Sequence, residues 1–193
     1  MKVVVIKYNA GNISSVINAL QRIDVAATVT DDPALIYSAD KVILPGVGAA
    51  GAAMSYLRER KLDKIILSLE QPVLGICLGM QLMCAYSEEN DTRCLGIFDG
   101  NVMRFRGMEK VPHMGWNNVF DLRSPLFKGI KEQDYMYFVH SYYAALSAQT
   151  TSVTEYGGNY SSALQSNNYY GVQFHPEKSG AAGQQLLSNF MAL

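Results

Sequence analysis

Pro72-Val73-Leu74-Gly75-Ile76-Cys77-Leu78-Gly79-Met80-Gln81-Leu82 is the stretch that decides the fold class. Pro72–Ile76 is short and nearly all apolar, as expected of a strand buried on both faces, and Leu78–Tyr86 follows at once as a helix. Between them one cysteine has a glycine two residues to either side. G-x-C-x-G is the thiol form of the nucleophile elbow, in which the glycines permit a sharp turn and the central residue is strained, its side chain projecting. Cys77 also falls at a helix N-terminus, where the dipole and free N–H groups favour a thiolate. The N–H of Leu78 would then point at an oxyanion formed on a substrate bonded to the sulfur. For a lone cysteine, a small buried side chain in a tight turn is explanation enough. The paired glycines between strand and helix favour the nucleophile.

Outward from this stretch, the first half of the chain keeps the same alternation. Val3–Ile6 is a short apolar strand, and Ser14 to Ile23 carries Val16, Ile17, Leu20 and Ile23 at helical spacing. Val25–Thr30 is β-branched and strand-like, with Asp31-Asp32-Pro33 ending it as a turn. Lys41–Leu44 is a further strand stopped by Pro45-Gly46, and helices are expected over Ala52–Arg60 and Leu62–Leu69. Such alternation means right-handed crossovers and a largely parallel sheet with helices on both faces. The second half changes character. Val102–Arg106, Asn118–Phe120, Tyr135–Tyr143, Thr151–Tyr156, Ala163–Gln165 and Tyr169–Phe174 are short, rich in Tyr, Phe, Thr and Val, and expected to be partly antiparallel strands. Ala182–Ala192 closes the chain as a helix. No linker or repeat interrupts it, so residues 1–193 are expected to form one α/β domain.

A thiol nucleophile needs a base, and the chain has only 3 histidines, His113, His140 and His175. His175 ends the strand Tyr170–Phe174, and the Pro176-Glu177 that follows stops the strand and fixes the turn. Glu177 can then orient and charge the imidazole, which gives nucleophile, base and orienter in Cys77, His175 and Glu177. An exposed histidine beside a solvated glutamate is the plainer reading of that pair taken alone. Pro45-Gly46-Val47-Gly48 supplies backbone N–H groups that could approach a ligand as a second oxyanion donor, or could be an ordinary glycine turn. Phosphate binding is disfavoured because no Lys-Ser/Thr follows those glycines. His113 is expected to be structural, between strands, and His140 a packed strand histidine. Cys84, seven residues beyond Cys77, is expected on the same helical face as a buried thiol, and Cys94 in a loop.

Composition narrows the partners. The 16 Lys+Arg against 17 Asp+Glu give a net charge of -1, so no basic excess drives binding to nucleic acid or anionic membrane. No segment approaches the ~20 uninterrupted apolar residues of a membrane span, and the N-terminal apolar run is too short for a signal peptide. The 3 cysteines cannot all pair within the chain, and without a secretory signal they are expected as reduced thiols in the cytoplasm. No His or carboxylate stands at metal-ligand spacing with Cys77 or Cys84, and no metal or cofactor is expected.

Gly75-Ile-Cys77-Leu-Gly-Met-Gln-Leu82, Phe174-His-Pro-Glu-Lys-Ser179 and Pro45-Gly-Val-Gly48 together resemble the class I glutamine amidotransferases, the triad-type glutaminases. Within that family, Val111-Pro-His-Met-Gly-Trp-Asn117, Tyr137-Phe-Val-His-Ser-Tyr142 and Asn9-Ala-Gly-Asn12 are similar to the glutaminase subunits of imidazole glycerol phosphate synthases of histidine biosynthesis. The resemblance runs over essentially the whole chain and implies a flavodoxin-like fold with Cys77, His175 and Glu177 as the triad. Cys77 would attack the side-chain amide of glutamine, forming a γ-glutamyl thioester. His175 would protonate the leaving ammonia and later activate the water that frees glutamate. Leu78 and a backbone N–H of the 46–48 strand, from Val47 or Gly48, would form the oxyanion hole. Gly46, Gly48, Gln81, Ser141 and Tyr142 match the family's contacts to bound glutamine.

The same resemblance implies a partner, a separate (β/α)8-barrel cyclase. The barrel would use the ammonia on a phosphoribulosyl-formimino carboxamide ribonucleotide, giving imidazole glycerol phosphate and an aminoimidazole carboxamide ribotide. Asn12, Trp116 and Tyr137 match positions facing the barrel. Glutaminase activity in the family stays low until the barrel binds its substrate, and the proposed switch is a peptide rotation within Pro45–Gly48. Two positions depart from the family's first loop: Lys7 stands where an acidic residue is usual, and Asn9 where a glycine is. Neither position is expected to touch the triad. Three other functions remain to be weighed: an amidotransferase for another acceptor, such as that of the pyridoxal phosphate pathway, a stand-alone thiol hydrolase, and a silent subunit that keeps the fold. Pro112–Asn117 speaks against the first, and the intact Cys77–His175–Glu177 set against the last.

Overall fold

Val3–Ile6 is apolar and buried at every position, which only a strand covered on both faces can satisfy. The computed structural model, which describes residues 1–8, 11–107 and 110–193, places it inside such a sheet, with a parallel neighbour on either side. The first half runs β1 (Val3–Ile6), α1 (Ile13–Gln21), β2 (Ala27–Thr30), α2 (Pro33–Tyr37), β3 (Lys41–Leu44), α3 (Ala50–Glu59), α4 (Leu62–Leu67), β4 (Val73–Ile76) and α5 (Leu78–Met83). The second half continues β5 (Tyr86–Ser87), β6 (Thr92–Arg93), β7 (Asn101–Arg104), β8 (His113–Asn118), β9 (Tyr135–His140) and β10 (Tyr142–Ala144). It closes with β11 (Thr150–Glu155), β12 (Asn159–Ser166), β13 (Tyr169–Val172) and α6 (Gly180–Met191).

An 11-stranded sheet has the order β2-β1-β3-β4-β13-β12-β10-β7-β5-β6, with β11 beside β12. Strands β2, β1, β3, β4 and β13 are mutually parallel, whereas β12 and β10 bring in antiparallel pairing. The architecture is therefore mixed α/β, parallel in its first half and largely antiparallel in its second. Alternate residues of the parallel strands feed two cores. Val4, Ile6, Val42 and Leu44 pack with Met54, Leu57 and Ile66 of α3 and α4 on one face. Val3, Val5, Ile43 and Leu74 pack with Val16 and Leu20 of α1 and Leu187 and Phe190 of α6 on the other. No helix of the described residues is long and apolar enough to cross a membrane.

Several local expectations need correction. Asp31-Asp32-Pro33 starts a helix, α2, in place of a simple turn. Asp32 Oδ1 accepts from the Ala34 N–H at 2.7 Å and Pro33 fills the first helical position, both standard N-terminal devices. Helix α5 stops at Met83, short of Tyr86, because the 95–97 segment takes over its last carbonyls: Leu95, Gly96 and Ile97 donate to Leu82, Cys84 and Met83. Cys77 and Cys84 thus cap opposite ends of α5 and share no helical face. Tyr135–Tyr143 breaks at Ser141, so that β9 pairs with β8 in a separate two-stranded sheet while β10 joins the main one. His113, expected between strands, opens β8 directly opposite His140.

Parallel pairing is what assembles the site. The carboxyl ends of β3, β4 and β13 lie side by side, Leu44 opposite Gly75 and Val172 opposite Ile76. The three segments that follow (Pro45–Gly48, Cys77–Leu78 and Gln173–Glu177) therefore emerge at one edge, where open α/β sheets carry their ligand sites.

Candidate active site

Cys77 links β4 to α5 with φ 53° and ψ −110°, a backbone conformation that a side chain other than glycine's adopts only under constraint. The constraint is visible on either side. A Cβ on Gly75 would come within 2.8 Å of the Gly79 carbonyl carbon and the Met80 nitrogen, and one on Gly79 would overlap the Leu44 carbonyl. Strand and helix can approach this closely only with glycine at both positions. The strained elbow expected from G-x-C-x-G is thus present in its backbone form.

Behind the sulfur lie His175 and Glu177. Both side chains are almost completely buried, and His175 Nδ1 donates to Glu177 Oε1 at 2.7 Å. Pro176 and Glu177 form a single tight turn after β13 that folds the carboxylate back onto the ring. Burial alone would lower the imidazole's proton affinity. The nearby Cys77 sulfur and the Glu177 carboxylate outweigh it and push His175 up to about 10. The ring's other nitrogen, Nε2, has no hydrogen-bond partner among the described residues. An imidazole with one nitrogen on a carboxylate and the other free is arranged for proton transfer.

The sulfur opens into a cavity of about 340 Å³ whose lining includes Val47, Gly48, Leu78, Gln81, Glu89, His140, Ser141 and Tyr142. Gln81 Nε2 is used internally, donating to the Tyr142 carbonyl and to Gln173 Oε1, each at 2.8 Å. Only its Oε1 remains for the cavity, so Gln81 presents an acceptor, suited to an amine or amide N–H. The Leu78 N–H donates to the Gly46 carbonyl at 3.3 Å. The Gly46–Val47 peptide therefore presents its oxygen where an oxyanion would sit, and the expected pair of oxyanion donors, Leu78 with Val47 or Gly48, is not assembled in this conformation.

The family model of class I glutamine amidotransferases matches residues 4–193. The chain belongs to the class I glutamine amidotransferase family. It is 55% identical over 196 residues to the imidazole glycerol phosphate synthase subunit HisH of Bacteroides fragilis, covering 100% of both chains. It is 46% identical over 200 residues to the protein of the same name from Vibrio vulnificus, covering 100% of this chain and 98% of that one. A solved glutamine amidotransferase from Thermotoga maritima, 19% identical, shares the fold at a TM-score of 0.64, covering 100% of this chain and 83% of that one.

In this amidotransferase, several side chains absent from the sequence reading belong to the site. Tyr8 is buried, and its hydroxyl donates to the Pro45 carbonyl, tethering the strand that carries Gly46. Glu89 lines the cavity, and its Oε2 accepts from the Ala50 N–H at 2.8 Å, at the N-terminus of α3. Gln173 is fully buried beside the sulfur. Neither Tyr8 nor Glu89 sits in a glycine-rich or histidine-bearing motif, so nothing local in the sequence marks them.

Asn12, matched to the partner face, is half-buried in a left-handed conformation, and its Nδ2 donates to Glu177 Oε1. It is tied to the acid of the His175 pair. Trp116 and Tyr137 face each other across β8 and β9 with ring centroids 5.9 Å apart, and Trp116 is 55% exposed. Met114 and Tyr135 of the same hairpin are also exposed. Ser141 and Tyr142 both line the cavity. The Tyr142 carbonyl accepts from Gln81 and from His140 Nδ1 at 2.7 Å, so its lone pairs are engaged. Lys7 is exposed at the end of β1, and Asn9 lies outside the described residues.

His113 and His140 form a buried pair, Nδ1 to Nε2 at 3.1 Å. The proton on His140 Nδ1, required by the Tyr142 carbonyl, leaves Nε2 to accept from His113 Nδ1, so the chain of donors has one direction. Burial lowers His113 to about 4. It lowers His140 to about 3 against the opposing Tyr142 hydrogen bond, with His113 and His175 adding to the fall. Both rings are neutral near pH 7 and are packed, polar parts of the wall.

Proposed function

We propose that this chain, as one domain over residues 1–193, is the glutaminase subunit of an imidazole glycerol phosphate synthase in histidine biosynthesis. The observation that carries the chemistry is the strained Cys77 elbow opening into a cavity, with a buried His175–Glu177 pair behind it. Full-length similarity to the HisH subunits supports the choice of acceptor pathway. Glutamine enters with its amide toward the sulfur. Its α-amino end meets acceptors, the Gln81 Oε1 and the Glu89 carboxylate, while Gly46, Gly48, Ser141 and Tyr142 hold the rest.

Cys77 attacks the amide carbon. His175, held protonated by its neighbours, gives its proton to the leaving nitrogen, and a γ-glutamyl thioester and ammonia result. His175 then takes a proton from water as that water attacks the thioester, returning glutamate and the free sulfur. Glu177 keeps the imidazolium stable and oriented throughout. Each tetrahedral intermediate needs two N–H donors, and in the present conformation the Gly46 carbonyl covers one of them. Rotation of the Gly46–Val47 peptide would free the Leu78 N–H and add that of Val47, making this strand a gate. Such a gate fits an enzyme that delivers ammonia to a partner, because unpartnered turnover wastes glutamine.

The partner in this reading is a (β/α)8-barrel cyclase docked on the Trp116–Tyr137 face, with Asn12 near its edge, and the pair works in the cytoplasm. The test is glutamate release by the chain alone and with a cyclase barrel plus its ribonucleotide. Activity is expected only in the full mixture, and Cys77→Ser is expected to abolish it. Equal activity of the isolated chain would instead establish a free-standing hydrolase. An unaffected Cys77→Ser variant would remove the triad assignment altogether.

A further inference from the structure

The parallel register that sets Val172 opposite Ile76 puts the next residue of one strand, Gln173, level with the next of the other, Cys77. The Gln173 carboxamide is completely buried, and its orientation is fixed. Gln81 Nε2 donates to Gln173 Oε1 at 2.8 Å, which identifies the oxygen end and leaves Gln173 Nε2 to donate to Cys77 Sγ at 3.6 Å. A carboxamide N–H in this environment must find an acceptor or incur the cost of desolvation, and the acceptor it has is the sulfur. Gln81 in turn also donates to the Tyr142 carbonyl, so a run of amide donors leads from the cavity wall to the sulfur.

We propose that Gln173 is a positioning residue for the Cys77 nucleophile, its Nε2–H anchoring the sulfur to β13 and favouring the thiolate, and that it couples Gln81, a cavity-facing side chain, to that sulfur. The inference rests on the reading of Cys77 as the nucleophile. An N–H donor is bound more strongly by an anionic sulfur than by a neutral thiol, so the contact selects the charged form. His175 exchanges a proton with the reacting groups. Gln173 has none to exchange near neutral pH, so it acts on the sulfur without taking part in proton transfer. The pair would thus divide the work between proton transfer and fixed stabilisation.

Iodoacetamide alkylation of Cys77, read by mass spectrometry in the full-length chain over about pH 4 to about pH 9, tests this with Gln173→Met and Gln173→Glu. Gln173→Met keeps the volume without the donor and should reach a given alkylation rate only at about tenfold lower proton concentration than wild type. Gln173→Glu, which sets a second negative charge beside the sulfur, should shift the profile further in the same direction. A merely structural role would lower the unfolding midpoint and leave the pH profile in place, so either variant folded with a wild-type profile overturns the proposal. Should both variants fail to fold, the wild-type chain decides by NMR. The Gln173 side-chain amide resonances must move when Cys77 is alkylated, and resonances that stay put refute the contact. Failure of the underlying reading is separate: Cys77→Ser would then still release ammonia.

Discussion

Replacing Glu177 by Gln removes one charge from an almost completely buried ion pair while leaving a carbonyl oxygen to accept from His175 Nδ1. The new amide group takes the place of Oε2, which has no hydrogen-bond partner among the described residues, so no existing bond there is lost, while its unpaired N–H groups lower the variant's stability at every pH. The effect on the His175 proton is therefore largely electrostatic. Two unit charges about 4 Å apart attract by about 4 kcal/mol at an effective dielectric constant of about 20. At about 1.4 kcal/mol per pH unit, that is about three pH units. His175, pushed up to about 10 in the native chain, should titrate about three pH units lower in Glu177→Gln. The sign also fixes a stability window. A histidine whose folded value exceeds the ordinary 6.5 contributes fully below 6.5, and its contribution is lost as pH rises toward about 10. The native chain should lose stability across that range, and the variant should lose much less.

The assay is NMR titration of labelled imidazoles in the intact chain. Of its 3 histidines, His113 and His140 are held neutral down to about 4 and about 3, so a resonance titrating above pH 6 belongs to His175. Denaturant unfolding at the two ends of the window supplies the independent check. If His175 in Glu177→Gln still titrates near about 10, the carboxylate is not what holds the proton, and the electrostatic account of the pair is wrong.

Acid should act through the other two histidines, with the opposite sign. Their folded values lie below 6.5, so their contribution is complete above 6.5 and is lost as pH falls toward about 4, at about 1.4 kcal/mol per histidine per pH unit. Urea unfolding of the wild type against His113→Gln should show a shallower slope in the variant over that range, and equal slopes would argue against a buried neutral His113. Trp116→Ala, at a half-exposed position, should change unfolding free energy by less than about 0.5 kcal/mol. The same variant should weaken calorimetric binding to the cyclase barrel by about 2 kcal/mol or more. Unchanged affinity would take Trp116 out of the docking face.

Much of the architecture was legible because burial on two faces leaves a local signature. Val3–Ile6, Lys41–Leu44 and Val73–Ile76 are mostly apolar runs of strand length, and their order with the intervening helices implies parallel crossovers. Legibility failed where a distant partner decides a boundary. Helix α5 ends early because the 95–97 segment takes its carbonyls, and Tyr135–Tyr143 divides because β9 and β10 bond to different sheets. No periodicity within the segment records either event.

The candidate site divides along the same line. Cys77, with its flanking glycines, and His175, with Pro176 and Glu177, were readable because an elbow and a strand-ending turn are local devices that need particular residues in order. Tertiary structure alone brought Gln173 to the sulfur, Tyr8 to Pro45, Glu89 to the cavity and Asn12 to the acid. It alone showed the Gly46 carbonyl resting on the Leu78 N–H. The sequence by itself determined which residues could carry the chemistry, because strain and burial act over neighbouring positions. The sheet's order and register decided which distant groups surround them, because such contacts exist only once parallel strands have brought their carboxyl ends to one edge.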